Sequence, residues 1–196
     1  MNFKSDFVTA SLEQHLEIIG ALLRNQTTVI NDCAEIIYKT LINGNKILLC
    51  GNGGSAADAQ HLAAEFVGRY ETERRAFPAI ALTTDTSALT ELANDYNFER
   101  VFARQVEALA TEGDCLIAIS TSGNSPNVIE AVMKARNSGC RVIGLTGANG
   151  KKLASLCDAC VLVPSERTAR IQEAHITIGH IWCEIFDNKI EQNPNF

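Results

Sequence analysis

The stretch Lys46–Glu65, KILLCGNGGSAADAQHLAAE, decides the fold. It begins with the apolar run Lys46–Cys50, which has the length and composition of a strand buried inside a parallel sheet. Gly51–Ser55 follows as a turn of small residues, in which glycine tolerates positive φ and lets a ligand approach the backbone. Strong helix formers continue from Ala56. A strand, a glycine turn and a helix N-terminus together predict an anion site, because free N–H groups and the positive end of the helix dipole meet there.

Alternating strand-like and helix-like segments surround this stretch. Two segments with helical periodicity precede it, near residues 6–25 and 28–42. Further apolar runs of strand length follow near 78–83, 114–119, 141–146 and 159–163, with helical segments between them and a long final helix from about 168 to 191. The alternation predicts one α/β domain over residues 1–196, with a parallel sheet flanked by helices. We expect the extra helices of residues 1–43 to cover one face or to form a subunit interface.

Composition excludes several classes of protein. The 196 residues carry a net charge of −6, which argues against broad nucleic-acid binding, since that requires a basic surface. The N-terminal residues show no continuous apolar segment typical of a signal peptide, and no uncharged apolar run is long enough to span a bilayer. We therefore expect a cytoplasmic protein that binds neither nucleic acid nor membrane directly.

The seven cysteines form an odd, scattered set, and we interpret them as buried reduced thiols. Cys157-Asp-Ala-Cys160 has CxxC spacing. It lacks a second pair, which argues against a structural zinc site and leaves a redox or metal role as the less favoured alternative.

A hydroxyl-rich loop, Ser120-Thr-Ser-Gly-Asn-Ser125, lies between a predicted strand and a predicted helix. Four hydroxyls and backbone N–H groups at this position predict a neutral phosphate cup. A simpler explanation is a helix cap, since Ser125 before Pro126 is a favourable N-cap. That explanation accounts for one hydroxyl and leaves three, so we favour phosphate binding.

Two predicted helices carry residues suited to acid–base or metal chemistry. His61 and Glu65 are four residues apart and so share one helix face. The final helix carries Gln172, Glu173, His175 and His180. Each set alone fits an ordinary solvated or amphipathic helix. Together, beside a phosphate cup, they indicate acid–base catalysis, metal binding or both.

The glycine turn also fits a dinucleotide fingerprint, G-x-G-x-x-A, at Gly51, Gly53 and Ala56. That fingerprint requires an acidic residue about 20 residues further on, at the end of the second strand. The nearest candidate, Asp85, comes much later, so we do not favour a nicotinamide-dependent dehydrogenase.

Three motifs resemble the sugar isomerase (SIS) phosphosugar-binding family, and within it the phosphoheptose isomerases. They are Cys50–Ala56, Ser120–Ser125 and Arg170–His175 (RIQEAH), and the similarity extends over nearly the whole chain. The resemblance implies a flavodoxin-like or Rossmann-like, five-stranded parallel sheet and a homotetramer. It also implies conversion of sedoheptulose 7-phosphate to D-glycero-D-manno-heptose 7-phosphate, the first step toward the heptose of lipopolysaccharide.

The resemblance also implies roles for individual residues. Glu65 matches the general base of the family and His180 its general acid. One zinc ion per subunit is implied, with the ligands His61, Glu65, Gln172 and His180. The matching substrate contacts are Asn52, Gly53, Gly54, Ser55, Asn94, Asp95, Ser120, Thr121, Ser122, Ser125 and Gln172.

Two features of this ligand set need explanation. Gln172 and His180 lie roughly 12 Å apart along one helix, which is awkward for a single ion, so we expect an active site at a subunit interface. A carboxylate bound to zinc is also a weakened base. Either Glu65 leaves the metal during turnover, or the metal is partly structural.

An alternative from another class is a non-catalytic SIS protein that binds the bacterial replication initiator. Leu41–Leu48, Tyr70–Arg74 and Ala169–Glu173 resemble that branch. The branch lacks side chains equivalent to Glu65 and His180, and both are present here. Their presence favours the enzyme.

Overall fold

The computed structural model describes residues 6–193 and contains a five-stranded, all-parallel sheet. The strand order is β2-β1-β3-β4-β5. The strands are β1 Ile47–Gly51, β2 Ala79–Ala81, β3 Cys115–Ser120, β4 Arg141–Gly147 and β5 Ala159–Val163. The predicted fold class is therefore confirmed, while the predicted domain, 1–196, extends beyond the described residues at both ends.

Helices flank the sheet on both faces. They are α1 Asp6–Asn25, α2 Thr27–Ile42, α3 Gly54–Val67, α4 Thr86–Asp95, α5 Val101–Leu109, α6 Pro126–Asn137, α7 Lys151–Ala154 and α8 Thr168–Gln192, with a 3₁₀ turn at Phe98–Arg100. The second strand is shorter than the apolar run at 78–83 predicts. Asp85 caps the start of α4, and Asn94 and Asp95 lie in its last turn. None of the helices in the described part of the chain has the length and apolar character needed to cross a membrane.

Alternation along the strands divides the core into two layers. Ile47 and Leu49 of β1 point into a cluster with α1, α2, α3 and α8. Leu48 and Cys50 point to the other face, into a cluster with residues of α5, α6 and α7. All five residues of β1 are buried, as a strand covered on both faces requires.

The chain reverses direction across the sheet at β1, which pairs with β2 on one side and β3 on the other. In open α/β sheets the crevice at such a reversal, at the carboxyl ends of the strands, is where ligands bind. The glycine turn follows β1 and the hydroxyl-rich loop follows β3. Both therefore border this crevice.

Helices α3 and α8 pack unusually closely where Leu62 meets Gly179. A Cβ atom at Gly179 would lie 2.4 Å from Cδ2 of Leu62, whose side chain is fully buried. The absence of a side chain at this position lets the two helices approach. Because His180 is the next residue, this approach also sets its distance from α3.

We expect Gly179→Ala to destabilise the fold relative to Gly20→Ala. Both changes add one methyl group to a helix interior and gain the same helix propensity. At Gly20 the new Cβ meets only the flexible end of Arg24, at 3.3 Å, whereas at Gly179 it overlaps a buried leucine. Overpacking of this kind costs about 1–3 kcal/mol. Urea unfolding of both variants at one protein concentration measures the difference, and equal stability would contradict the close-packing argument.

Candidate functional site

The glycine turn has the strand–turn–helix geometry that the sequence predicts. Strand β1 ends at Gly51, and α3 begins at Gly54. Gly53 has a φ of 55°, a conformation that favours glycine over any residue with a side chain. The N–H of Ser55 turns back to donate to the Asn52 carbonyl at 3.0 Å. The turn thus brings the backbone and the positive end of α3 to the crevice.

In the hydroxyl-rich loop, Ser125 does not cap α6 with its side chain. It is the N-cap residue by position, but its Oγ lies 2.9 Å from Oγ of Ser120 and makes no capping hydrogen bond. The helix-cap explanation of its hydroxyl is therefore wrong. Thr121 and Ser122 also line a small cavity of about 190 Å³. Within the loop, the Ser122 hydroxyl oxygen accepts from the N–H of Asn124 at 3.2 Å. The hydroxyls are thus gathered in one loop between β3 and α6, as the predicted phosphate cup requires.

Asn127 joins the two loops. Its side-chain amide exchanges two hydrogen bonds with that of Asn52, each 2.9 Å long. Asn52 follows β1 and Asn127 lies in the first turn of α6, after β3. This pair holds the glycine turn and the hydroxyl-rich loop side by side. The predicted anion site and the predicted phosphate cup are therefore neighbours.

His61, Glu65 and His180 form a compact cluster. Nε2 of His61 lies 3.1 Å from Oε1 of Glu65 and 3.2 Å from Nε2 of His180. One ligand atom from each residue can be chosen so that all three lie within 4.8 Å of one another. The structure therefore brings together, within one chain, three of the four residues that the resemblance implies as metal ligands.

The donor set of this cluster fits zinc. Two imidazole nitrogens and one carboxylate oxygen are typical ligands of catalytic zinc sites, which leave a fourth position open. Atoms about 2.0–2.2 Å from one tetrahedral ion lie roughly 3.3 Å apart, close to the two shorter separations here. The cluster is also accessible, since the side chain of His61 is 47% exposed and that of Glu65 is 22% exposed.

Gln172 lies elsewhere on α8, two turns before His180. Its side-chain amide packs against Gly54, where an added Cβ atom would lie 2.3 Å from Nε2 of Gln172. Gln172 thus borders the glycine turn at the start of α3. Asn94 and Asp95 are exposed at the end of α4, where the Asn94 amide donates to Oδ1 of Asp95 at 2.8 Å.

Tyr70 and Arg74 support the cluster from the segment after α3. The ring of Tyr70 lies 5.6 Å from that of His180, between ring centroids. Arg74 donates from Nη2 to the backbone carbonyl of Glu65 at 2.8 Å, and from Nε to Asp187 on α8 at 2.7 Å. These residues fix where Glu65 and His180 lie relative to each other. Sequence spacing gave no signal for them.

Asp58 is a further acidic group that the sequence analysis missed. It lies on α3, three residues before His61 and seven before Glu65, so helical spacing places it on their face. Its Oδ2 is buried and has no hydrogen-bond partner. Burial raises the pKa of Asp58 to about 6, although nearby His61 favours the charged form. The i, i+3, i+7 spacing was the available signal.

His175 does not belong to the cluster. It is fully buried, and neither ring nitrogen has a hydrogen-bond partner. Burial lowers its pKa to about 4, so the ring is neutral near pH 7. The interpretation of an incidental histidine therefore applies to His175, whereas His180, five residues later, lies beside His61.

Comparisons with known proteins agree with this geometry. A family model described as SIS domain matches residues 12–147. A phosphoheptose isomerase of Aliarcobacter butzleri is 59% identical over 176 residues, which cover 90% of this chain and 93% of the relative.

Two solved structures extend the likeness to three dimensions. A phosphoheptose isomerase of Neisseria gonorrhoeae is 46% identical, with a TM-score of 0.90 over 95% of this chain and 100% of that one. Another, from Francisella tularensis, is 37% identical, with a TM-score of 0.91 over 95% of this chain and 99% of that one. The chain therefore belongs to the SIS domain family and, within it, to the phosphoheptose isomerases.

Proposed function

We propose that this protein, a phosphosugar isomerase by family, converts sedoheptulose 7-phosphate to D-glycero-D-manno-heptose 7-phosphate. The observation that carries the proposal is the cluster of His61 and Glu65, on the helix that begins at the glycine turn, with His180 of α8. As part of the proposal, the reaction takes place in the cytoplasm and supplies heptose for lipopolysaccharide. Nothing in the comparisons supports the alternative of a replication-initiator-binding module.

The phosphate cup serves to hold the far end of the substrate. Hydroxyls of Ser120, Ser122 and Ser125, with Thr121, can donate to phosphate oxygens, while the N-terminus of α3 favours their negative charge. Asn52, Gly53, Gly54 and Ser55 border the same space, and the Gln172 amide adds a donor against Gly54. A fixed phosphate limits where the reacting carbons can lie, which lowers the entropy cost of reaching the transition state.

The chemistry moves a proton from C1 of the ketose to C2 of the aldose through an enediol. In this proposal the Glu65 carboxylate takes the proton from C1 and returns it at C2. His180 donates a proton to the C2 oxygen, and the C1 hydroxyl then returns a proton to His180 as the aldehyde forms. General acid–base catalysis of this kind typically contributes a factor of about 10²–10⁴ in rate.

We further propose that one zinc ion per subunit binds at His61, Glu65 and His180. Gln172, the fourth ligand that the resemblance implies, lies two turns before His180 on α8 and borders Gly54. When bound, zinc polarises a carbonyl oxygen and stabilises negative charge on it. His61, for which the proton transfers give no role, is then explained as a metal ligand. Its Nε2 faces both other residues, as a ligand that completes such a set must.

The proposal also includes a homotetramer with active sites at subunit interfaces. Its support is an apolar stripe on α1, formed by Val8, Leu12, Leu16 and Leu23, whose exposures range from 60% to 71%. A contiguous exposed apolar surface of this kind marks a protein interface. The 47% exposure of the His61 side chain is consistent with cover of the site by a neighbouring subunit.

Glu65→Gln and His180→Gln should each lower kcat for isomerisation of sedoheptulose 7-phosphate by at least about 100-fold. The first removes the base, and the second removes the acid while keeping a polar side chain of similar reach. Product formation, followed by chromatography of the two heptose phosphates, measures the effect. Matched controls are Glu73→Gln, an exposed carboxylate beyond α3, and His15→Gln, a histidine paired with Glu173.

The controls should retain the activity of the unmodified protein. Substrate binding without any turnover by the unmodified protein would contradict the isomerase proposal and favour a non-catalytic module. Full activity in both site variants would instead show that the proton transfers involve other groups.

Zinc binding should depend on His61. The purified protein should retain about one zinc per chain after dialysis, and His61→Ala should weaken binding by at least tenfold, because one of three clustered ligands is lost. Competition with a chromogenic chelator measures affinity without reference to activity. His15→Ala is the matched control, and an equal loss in both variants would contradict the assignment of zinc to this cluster.

The double substitution Leu12→Glu and Leu16→Glu should break the tetramer. Charges placed on the apolar stripe of α1 would be buried without partners in an assembled interface. Light scattering after size-exclusion chromatography measures the mass. Met133→Glu, on an exposed apolar residue of α6, is the control and should leave it unchanged. A monomeric unmodified protein, or an unaffected tetramer in the double variant, would contradict this interface.

A further inference from the structure

The CxxC pair brings two thiols together at the edge of the sheet. Cys157 follows α7, and Cys160 lies in the edge strand β5, paired with Gly144 of β4. A Cβ atom at Gly144 would lie 2.6 Å from Sγ of Cys160 and 2.8 Å from Sγ of Cys157. Both sulfur atoms therefore occupy the space over this one glycine. A glycine inside a strand commonly marks such a close approach.

These two cysteines are also the accessible ones. Cys33, Cys50, Cys115, Cys140 and Cys183 are buried, whereas Cys157 and Cys160 are partly exposed. Both border a groove of about 870 Å³ between the edge of the sheet and α2, with Arg141 and Lys39 at its sides. A small molecule of peptide size can reach the sulfurs through this groove.

We propose that Cys157 and Cys160 form a reversible intramolecular disulfide, and that the pair is a modification site for low-molecular-weight disulfides such as oxidised glutathione. No part of the isomerase chemistry uses either thiol. The thiols are adjacent, accessible and placed on rigid elements, which are the conditions for thiol–disulfide exchange.

The exchange proceeds in two balanced steps. The Cys160 thiolate attacks one sulfur of the small disulfide, a new S–S bond forms, and one small thiolate leaves and takes up the proton that Cys160 lost. The Cys157 sulfur, as it loses its proton, then attacks Sγ of Cys160 and releases the second small thiol. The pair loses two protons and two electrons, and the small disulfide gains both.

The order of attack follows from the local contacts. Cys157 donates its thiol proton from Sγ to the carbonyl of Leu153 at 3.2 Å. This hydrogen bond favours the protonated form of Cys157, so Cys160 reacts first. In the disulfide this proton is gone, and the hydrogen bond with it.

That hydrogen bond links the thiols to the phosphate cup. The N–H of Leu153 donates to the carbonyl of Gly123 at 3.2 Å, and Gly123 lies inside the hydroxyl-rich loop. Oxidation therefore loosens α7 where it supports this loop. This second part of the inference rests on the proposed function. It predicts that oxidation raises KM for the phosphosugar by about two- to tenfold, because one hydrogen bond contributes about that much to affinity. The value of kcat should change little.

The test is incubation of the full chain with oxidised glutathione, then alkylation and mass spectrometry of the tryptic peptide 153–167, which contains both cysteines. The expected product is lighter than the dithiol peptide by two hydrogens, carries no alkyl group, and returns to the dithiol on reduction. Cys157→Ser should stop at a mixed disulfide on Cys160, and Cys160→Ser should not react. Cys140→Ser, a buried thiol elsewhere, should behave as the unmodified protein does.

Each outcome distinguishes the parts of the inference. A dithiol peptide that stays alkylated throughout, or glutathione retained on the unmodified protein, would overturn the disulfide. A disulfide with unchanged KM would overturn only its link to the phosphate cup. A disulfide in a protein without any isomerase activity would contradict the proposed function and leave the modification site intact.

Discussion

The candidate site depends on one buried ion pair, Arg74 with Asp187. Their side chains are 2% and 5% exposed, and Nε of Arg74 lies 2.7 Å from Oδ1 of Asp187. Burial alone would raise the pKa of Asp187, but hydrogen bonds from Arg74 and from two backbone N–H groups outweigh it and hold the pKa below the usual range. The pair is thus charged near pH 7. Because Arg74 also binds the carbonyl of Glu65, it joins the end of α3 to α8, and removal of either partner would leave an uncompensated buried charge.

The length of helix α3 sets the distance between the two ends of the site. Its N-terminus borders the phosphate cup, and Glu65 lies eleven residues after Gly54, about 16 Å along the helix axis. In the proposed function the substrate phosphate lies toward the N-terminal end of this helix and the reacting carbons lie toward Glu65. The distance from α3 to α8 is set by two contacts. They are the Arg74–Asp187 ion pair and the packing of Leu62 against Gly179. The length of α3 and its packing against α8 together therefore set the separation of the groups at the site.

Sequence composition and spacing predicted those features of the fold and site that depend on residues close together in the chain. The strand, turn and helix at 46–65 follow from composition and spacing, and the pairing of His61 with Glu65 follows from four-residue spacing. Sequence could not show that His180 meets His61 while His175 is buried in the core, because this depends on how α8 packs. The same limit applies to Asn127 and Arg74, whose partners are distant in sequence. For Ser125 the local pattern was misleading. Its position before Pro126 predicts a side-chain cap of α6, but its hydroxyl instead forms a hydrogen bond with that of Ser120.

The position of Gln172 distinguishes between its two implied roles, metal ligand and substrate contact. His61, Glu65 and His180 form a set of three donors, the number of protein ligands that catalytic rather than structural zinc sites have. The Gln172 amide packs against Gly54, at the end of α3 opposite Glu65, and is placed to bind substrate beside the glycine turn. In the proposed function Gln172 would contact the substrate there, while His61, Glu65 and His180 would hold the metal, which would polarise a sugar oxygen. The two helical turns between Gln172 and His180 therefore favour Gln172 as a substrate contact over Gln172 as a metal ligand.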